Sequence, residues 1–195
     1  MKKFSFRVKI LALTLLFFSS GLFSEERLFS FSAGISTGIP IYGSQELQNN
    51  KKDFDHDARV IIGTLGTVNL NPMEEFTFFI GSDVLCDFSW KGGQHLNFIH
   101  VTFPLGVKVY PGLGGLNLAL AYTLGFRSDF IKSDSLGVQT KTDAWGNGFR
   151  FYLEYNFAHK GKSNHLPSCG LYWNLMPRGN NDYDNIIALY LVANL

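Results

Sequence analysis

A chain of 195 residues with a formal charge of +1 has room for one domain and shows no bias toward a polyanionic partner. Hydrophobic residues make up 46% and charged residues 17%, below the roughly 25% charged content of soluble proteins. Nineteen Phe and twenty Gly point to an all-β chain with much aromatic surface, and no apolar run reaches the ~20 residues of a membrane helix.

Residues 1–24 read as a signal peptide. Lys2, Lys3, Arg7 and Lys9 precede the apolar run 10–18, and small residues follow at Ser19, Ser20, Gly21 and Ser24. Cleavage fits after Gly21 or after Ser24. No Cys follows the apolar run, so a lipoprotein anchor is not expected. Export would leave residues 25–195 as a single domain with 13 basic and 16 acidic residues, net −3. That balance argues against a nucleic-acid partner.

The exported part alternates. In the first predicted strand, 28–42, Phe29, Phe31, Ala33, Ile35, Ile39 and Ile41 share one face, and small or polar residues share the other. Pro40 sits near its end, where a ladder tolerates proline best. A polar loop, 43–57, leads to the second strand, 58–70. Asn71-Pro72 is a turn signal before the third strand, 76–90. Lys91-Gly92-Gly93-Gln94 closes a hairpin into the fourth, 95–110. There Ile99, Val101, Phe103, Leu105, Val107 and Val109 alternate with His100, Thr102, Pro104, Gly106 and Lys108. PGLGG at 111–115 turns the chain into the fifth strand, 116–130. A polar loop, 131–143, precedes the sixth, 145–157. After a basic connection at 158–165 come the seventh, 166–176, and the eighth, 183–195, where Ile186 and Val192 blur the alternation.

Eight amphipathic strands with one apolar face specify an all-β fold, an eight-stranded antiparallel up-and-down transmembrane β-barrel. In lipid such strands must close on themselves, because an open edge leaves backbone groups unpaired at several kcal/mol each. Charge placement agrees with this. Arg59, Asp83, Asp87, Lys108, Arg127, Asp129, Arg150 and Glu154 all fall on the small or polar face. A lipid-facing Arg or Lys at mid-depth costs about 2–4 kcal/mol. Four bases and four acids in a narrow lumen must neutralise one another, so an interior charge network and a plugged lumen are expected. Loop lengths place 43–57, the Gly92 hairpin, 131–143 and 177–182 on the outer side. Phe29, Trp90, Tyr110, Trp145 and Phe157 lie near strand ends, as interface aromatics do.

Other constellations are weaker. Asp53, Asp55, His56 and Asp57 form a candidate cation-binding loop. A calcium loop would want Gly at position 58 and Glu at position 64, where this chain has Ala58 and Thr64, so a solvated acidic loop is preferred. His100 and Thr102 share an inward face, and a packed, hydrogen-bonded histidine is preferred over a catalytic one. Cys86 and Cys169 fall on distant lipid-facing strands and are expected as free thiols. No cofactor motif appears.

With its signal peptide, eight alternating segments, the TFPLGVKVYP stretch at 102–111 and an apolar last strand, the chain resembles the small outer-membrane barrels of the OmpX, OmpA-barrel and OmpW group. In its loose cleavage site and composition it is similar to an uncharacterised spirochaete outer-membrane barrel family. The resemblance implies a cell outer-membrane location, membrane lipid and the barrel-assembly machinery as partners, and a non-enzymatic surface or structural role. An OmpW-like, porin-like role implies instead a narrow conduit for a small hydrophobic ligand, with Ile61, Leu65, Phe79 and Leu85 on the inward parity as candidate lining. A soluble periplasmic lipid-binding barrel and an outer-membrane lipid-modifying enzyme are the remaining readings. An extracellular partner would act at the loops.

Overall fold

The computed structural model describes residues 28–44, 48, 54, 58–73, 75–134, 137–142, 145–158, 167–178 and 182–194. The expected signal peptide and all four cation-loop residues, Asp53, Asp55, His56 and Asp57, lie outside these residues.

Among the described residues nine strands form one sheet. They are β1 (Phe29–Tyr42), β2 (Ala58–Leu70), β3 (Phe76–Lys91), β4 (Gln94–Val109), β5 (Leu116–Ser133), β6 (Gly137–Thr142), β7 (Gly146–Asn156), β8 (Ser168–Pro177) and β9 (Tyr183–Asn194). Their order is β4-β3-β2-β1-β9-β8-β7-β5-β6, and β4 pairs with β5 to close the ring. The barrel therefore has eight staves, and β6 lies outside it. Closure joins first to last strand: β1 pairs antiparallel with β9 from Ser32↔Asn194 to Tyr42↔Asp184.

The alternation read from sequence is the alternation in space. In β4, Leu96, Phe98, His100 and Thr102 are buried, while Phe103, Leu105 and Val109 on the opposite face are exposed. In β5 and β7, Leu118, Leu120, Tyr122, Leu124, Phe149, Phe151 and Leu153 are likewise exposed on one continuous outer surface. From Ile99 to Val109 that surface spans ten residue steps. At ~3.3 Å per step and a tilt of ~40°, this makes an apolar band about 25 Å tall. Polar side chains mark its upper edge. Asn185 faces outward there and accepts a hydrogen bond from Trp173 Nε1 at 2.5 Å.

Glycine leaves room on the strand ladder where a neighbouring backbone comes close. A Cβ at Gly148 would collide with the Leu175 carbonyl oxygen across the β7–β8 ladder. At the β3–β4 hairpin, Gly92 takes a φ of 53°, the left-handed conformation that favours glycine.

One segment differs from the sequence expectation. Residues 131–143 do not form a plain polar loop. β5 runs on to Ser133, and Gly137–Thr142 pairs back on it from Ser133↔Gly137 to Ser128↔Thr142. All six residues of β6 are exposed. Both faces of β6 meet water, so no apolar alternation announces it. Its template is the rigid end of β5, and Gly137 (φ 68°) supplies the turn.

Candidate functional site

The lumen is the candidate site. Small inward residues on β1 (Ser32, Gly34, Ser36, Gly38) leave room for larger ones from the facing strands. Those fall into three polar layers, described from the long-loop end.

In the uppermost layer, Arg59 grips Asp87 with two bonds of 2.7 and 2.9 Å. Tyr42 donates its hydroxyl to the same carboxylate at 2.9 Å and lies 3.2 Å from His100 Nε2. His100 Nδ1 is 3.4 Å from Asp184, at ion-pair distance. Asp184 also receives Arg127 Nη1 and Arg178 Nε at 2.5 and 2.6 Å. Arg127 turns its Nε to Asp129 at 2.7 Å. Aromatic faces enclose this layer: Arg127 lies over the rings of Tyr42 and Phe98, 5.4 and 5.6 Å from their centroids. Phe54, from the first long connection, packs on Tyr42, Leu96 and Phe98 and caps the mouth.

The middle layer centres on Arg150, which is 1% exposed. Its Nη1 donates to Asp83 at 2.8 Å, its Nη2 to Thr102 at 2.7 Å and its Nε to Asn174 at 3.2 Å. Tyr172 donates to the same Asp83 oxygen at 3.0 Å and presents its ring 4.2 Å from the guanidinium carbon. In the lowest layer Lys108 pairs with Glu154 at 2.7 Å, and Asn117 and Tyr190 donate to the same carboxylate at 3.2 and 2.9 Å.

The eight charges singled out from the sequence thus stand as four adjacent pairs: Arg59 with Asp87, Arg127 with Asp129, Arg150 with Asp83, and Lys108 with Glu154. Parity reading missed Asp184 and Arg178, which join the upper layer. Asp184 is the second residue of β9, the strand whose alternation was blurred, and Arg178 lies just beyond β8, where parity carries no information. With these two, five cations and five anions face the lumen among the described residues. Charges desolvated this far stay folded only when paired and hydrogen-bonded.

Apolar side chains fill the remaining space. Leu85, Ile186, Ala188 and Val192 form a buried cluster with Tyr172 and Tyr190, and Ile61 and Leu65 pack against it. Phe79 packs with Ala119 and Ala121 lower down. Between the middle and lower layers a cavity of about 30 Å³ is lined by residues including Leu65, Phe79, Lys108, Tyr152 and Tyr190. That is room for about two waters.

His100 stacks on Tyr42, and the neighbouring Thr102 hydroxyl is taken by Arg150, so the two do not form a reacting pair. Cys86 and Cys169 are free and half-buried. Among the described residues no group of three His, Cys, Asp or Glu side chains is placed to hold a metal ion.

No protein-family model and no curated protein sequence matches this chain. Solved structures do resemble it. One is Ail, the attachment invasion locus protein of Yersinia pestis, solved in complex with the heparin analogue sucrose octasulfate: TM-score 0.57 at 8% identity, covering 86% of this chain and 97% of that one. Another structure of Ail gives 0.52 at 8% identity over 86% and 97% of the two chains. Neisserial surface protein A gives 0.50 at 9% identity over 85% and 96%. The fold is therefore that of the small eight-stranded outer-membrane β-barrels.

Proposed function

We propose that this chain is a non-enzymatic outer-membrane barrel with a closed lumen, acting on its outer side through the β5–β6 hairpin. Membrane placement is supported by the outer surface. Ile35, Ile80, Leu105, Leu120, Phe149 and Leu189 are each between 49% and 60% exposed, on a band that encircles the barrel. A soluble monomer rarely shows a contiguous apolar patch beyond roughly 300–600 Å². The same surface weighs against a soluble periplasmic carrier.

The hairpin carries the functional reading. Beyond the level where the barrel wall is complete, β5 continues with β6 as its partner, and β6 pairs with no other strand among the described residues. Its outer edge is an open row of backbone donors and acceptors. Natural edges are usually blunted by charge or proline. This one, Gly-Val-Gln-Thr-Lys-Thr, has a single charge at Lys141, and Val138 is 78% exposed. Such an edge accepts an extended segment of another protein by strand addition. A barrel packed across three layers offers no comparable surface inside.

Two experiments test this reading. Cells displaying the protein should adhere to surfaces coated with extracellular proteins, and Thr140→Pro, which removes an edge donor, should abolish adhesion without changing barrel stability. Adhesion unchanged by Thr140→Pro would refute the edge. In planar bilayers the purified barrel should show no steady wide conductance, and a large, sustained current would refute the closed lumen.

A further inference from the structure

Above the apolar band, the outer wall changes character on one side. Trp90, His95 and Lys132 are register partners on three adjacent strands, Trp90↔His95 and His95↔Lys132. All three keep the parity of the outward face. His95 follows Ile99 and Asn97 up β4, and Lys132 follows Ser128 and Phe130 up β5. The outward row just below is Phe88, Asn97 and Phe130, again register partners. Trp90 stacks on Phe88 with ring centroids 5.8 Å apart. Strand geometry sets the depth. His95 lies four residues above Ile99, the uppermost apolar outward residue of β4. At ~3.3 Å per residue and a tilt of ~40°, that is about 10 Å. The interfacial layer outside the hydrocarbon is about 5–8 Å thick on each side, and a lysine stem lies along an apolar wall while its ammonium reaches polar groups. This row therefore stands at the level of lipid phosphates.

The patch presents donors and keeps acceptors away. Lys132 is exposed, and among the described residues neither it nor His95 makes a side-chain hydrogen bond or an ion pair. An ammonium has no acceptor, and either neutral tautomer of His95 carries one ring N–H. Below them the Asn97 amide oxygen is buried without a partner, so the amide presents its NH₂ group to the interface. The neighbouring carboxylates are engaged elsewhere: Asp129 accepts from Arg127 at 2.7 Å on the lumen side, and Asp134 accepts from Gln94 at 3.0 Å. Outward residues at the tops of β1, β2 and β9, namely Ile41, Ala58 and Asn185, carry no charge. The outward charge is thus confined, among the described residues, to the β4–β5 side of the rim.

We infer that this face holds the phosphate of one anionic lipid in the leaflet at the long-loop end. The Lys132 ammonium and the His95 ring N–H donate to the phosphate oxygens. The Asn97 amide donates to an ester carbonyl, and the acyl chains descend over Phe88 and Phe130. From water to hydrocarbon the wall reads cation, amide, ring, and the lipid reads phosphate, ester, chain. A zwitterionic lipid gains less, because its own ammonium already offsets the phosphate charge. The site lies on the outer wall, apart from the lumen network and from the open edge of β6. It rests on the membrane placement proposed above, which gel mobility and carbonate extraction test independently.

The test uses the purified full barrel in mild detergent, with native mass spectrometry after adding phosphatidylglycerol, phosphatidylcholine or inorganic phosphate. Wild type should retain one phosphatidylglycerol and retain phosphatidylcholine less, and inorganic phosphate should not displace the lipid. Lys132→Gln should weaken retention about tenfold, as loss of one charge-assisted contact does. Asn97→Leu changes no charge and suits an apolar wall, yet it should weaken retention about fivefold through the lost amide donor. Lys91→Gln removes an exposed cation of the opposite parity, at the end of β3, and should retain the lipid as wild type does. Every variant should keep the boiling-dependent gel shift. No retention by wild type that shows this shift would overturn the inference and leave the membrane placement standing. Equal retention by Lys132→Gln or by Asn97→Leu, an equal loss in Lys91→Gln, equal retention of phosphatidylcholine, or displacement by inorganic phosphate would each overturn it as well.

Discussion

Replacing Arg150 by Met tests how the lumen charges are held. Arg150 is 1% exposed and makes four side-chain hydrogen bonds of 2.7–3.5 Å, to Thr102, Asp83, Asn174 and Tyr152. Asp83 makes both its bonds through Oδ2, to Arg150 and Tyr172, while Oδ1 is buried without a partner. Arg150→Met therefore leaves a carboxylate with one neutral donor in a dry interior. Removing one member of a buried pair costs about 3–5 kcal/mol. Asp83→Asn strands the guanidinium instead and should cost a similar amount. The double variant removes both charges and keeps a hydrogen-bond acceptor for Tyr172. It should cost only about 1–3 kcal/mol, the loss of neutral hydrogen bonds to Thr102 and Asn174. The coupling energy would then be several kcal/mol and favourable, well outside the additivity of independent sites. Reversible urea unfolding in lipid vesicles, followed by tryptophan fluorescence and gel mobility, measures it. A double variant as unstable as the sum of the singles would refute the pairing.

Three further outcomes follow from the wall and the hairpin. Leu105→Arg, in the middle of the apolar band, should cost about 2–4 kcal/mol in the same assay, and Val109→Arg at its lower edge about 0–1 kcal/mol; equal costs would mean the band does not sit in lipid. Gly148→Ala should destabilise by about 1–3 kcal/mol, because the added Cβ meets the Leu175 backbone rather than a side chain that can move, and an unchanged urea midpoint would contradict that contact. Removing residues 134–143 with a short Gly-Ser link should leave the boiling-dependent gel shift intact, since among the described residues β6 pairs only with β5; loss of the shift would make the hairpin part of the folded wall.

Much of the wall was legible because one physical demand, apolar outward and small or polar inward, acts on every residue of a stave. β2 runs over Ala58–Leu70, as read, and the other staves differ from the reading by a residue or a few at their ends. Legibility failed where that demand lapses. In β9, Ile186, Ala188 and Val192 face inward, because the small side chains of β1 leave an apolar space to fill. Alternation there is between two apolar faces, and Asp184 hid at its start. β6 has water on both sides and no pattern to read. The partners of each charge were illegible too. Arg150 reaches Asp83 across the lumen, 67 positions away in sequence, and only the barrel's closure sets that distance. The buried hydroxyls of Tyr42, Tyr172 and Tyr190 anchor carboxylates in all three layers. Tyr172 stood on a polar parity, which is the one signal that could have singled it out.

Gel mobility of the detergent-extracted native protein, with and without boiling, paired with carbonate extraction of membranes, tests the central claim most directly. A closed barrel in lipid migrates faster unboiled than boiled and stays in the carbonate-resistant membrane fraction. A single mobility, with the protein free in the periplasmic fraction, would contradict the account and turn its aromatic outer band into a surface that some other protein must cover.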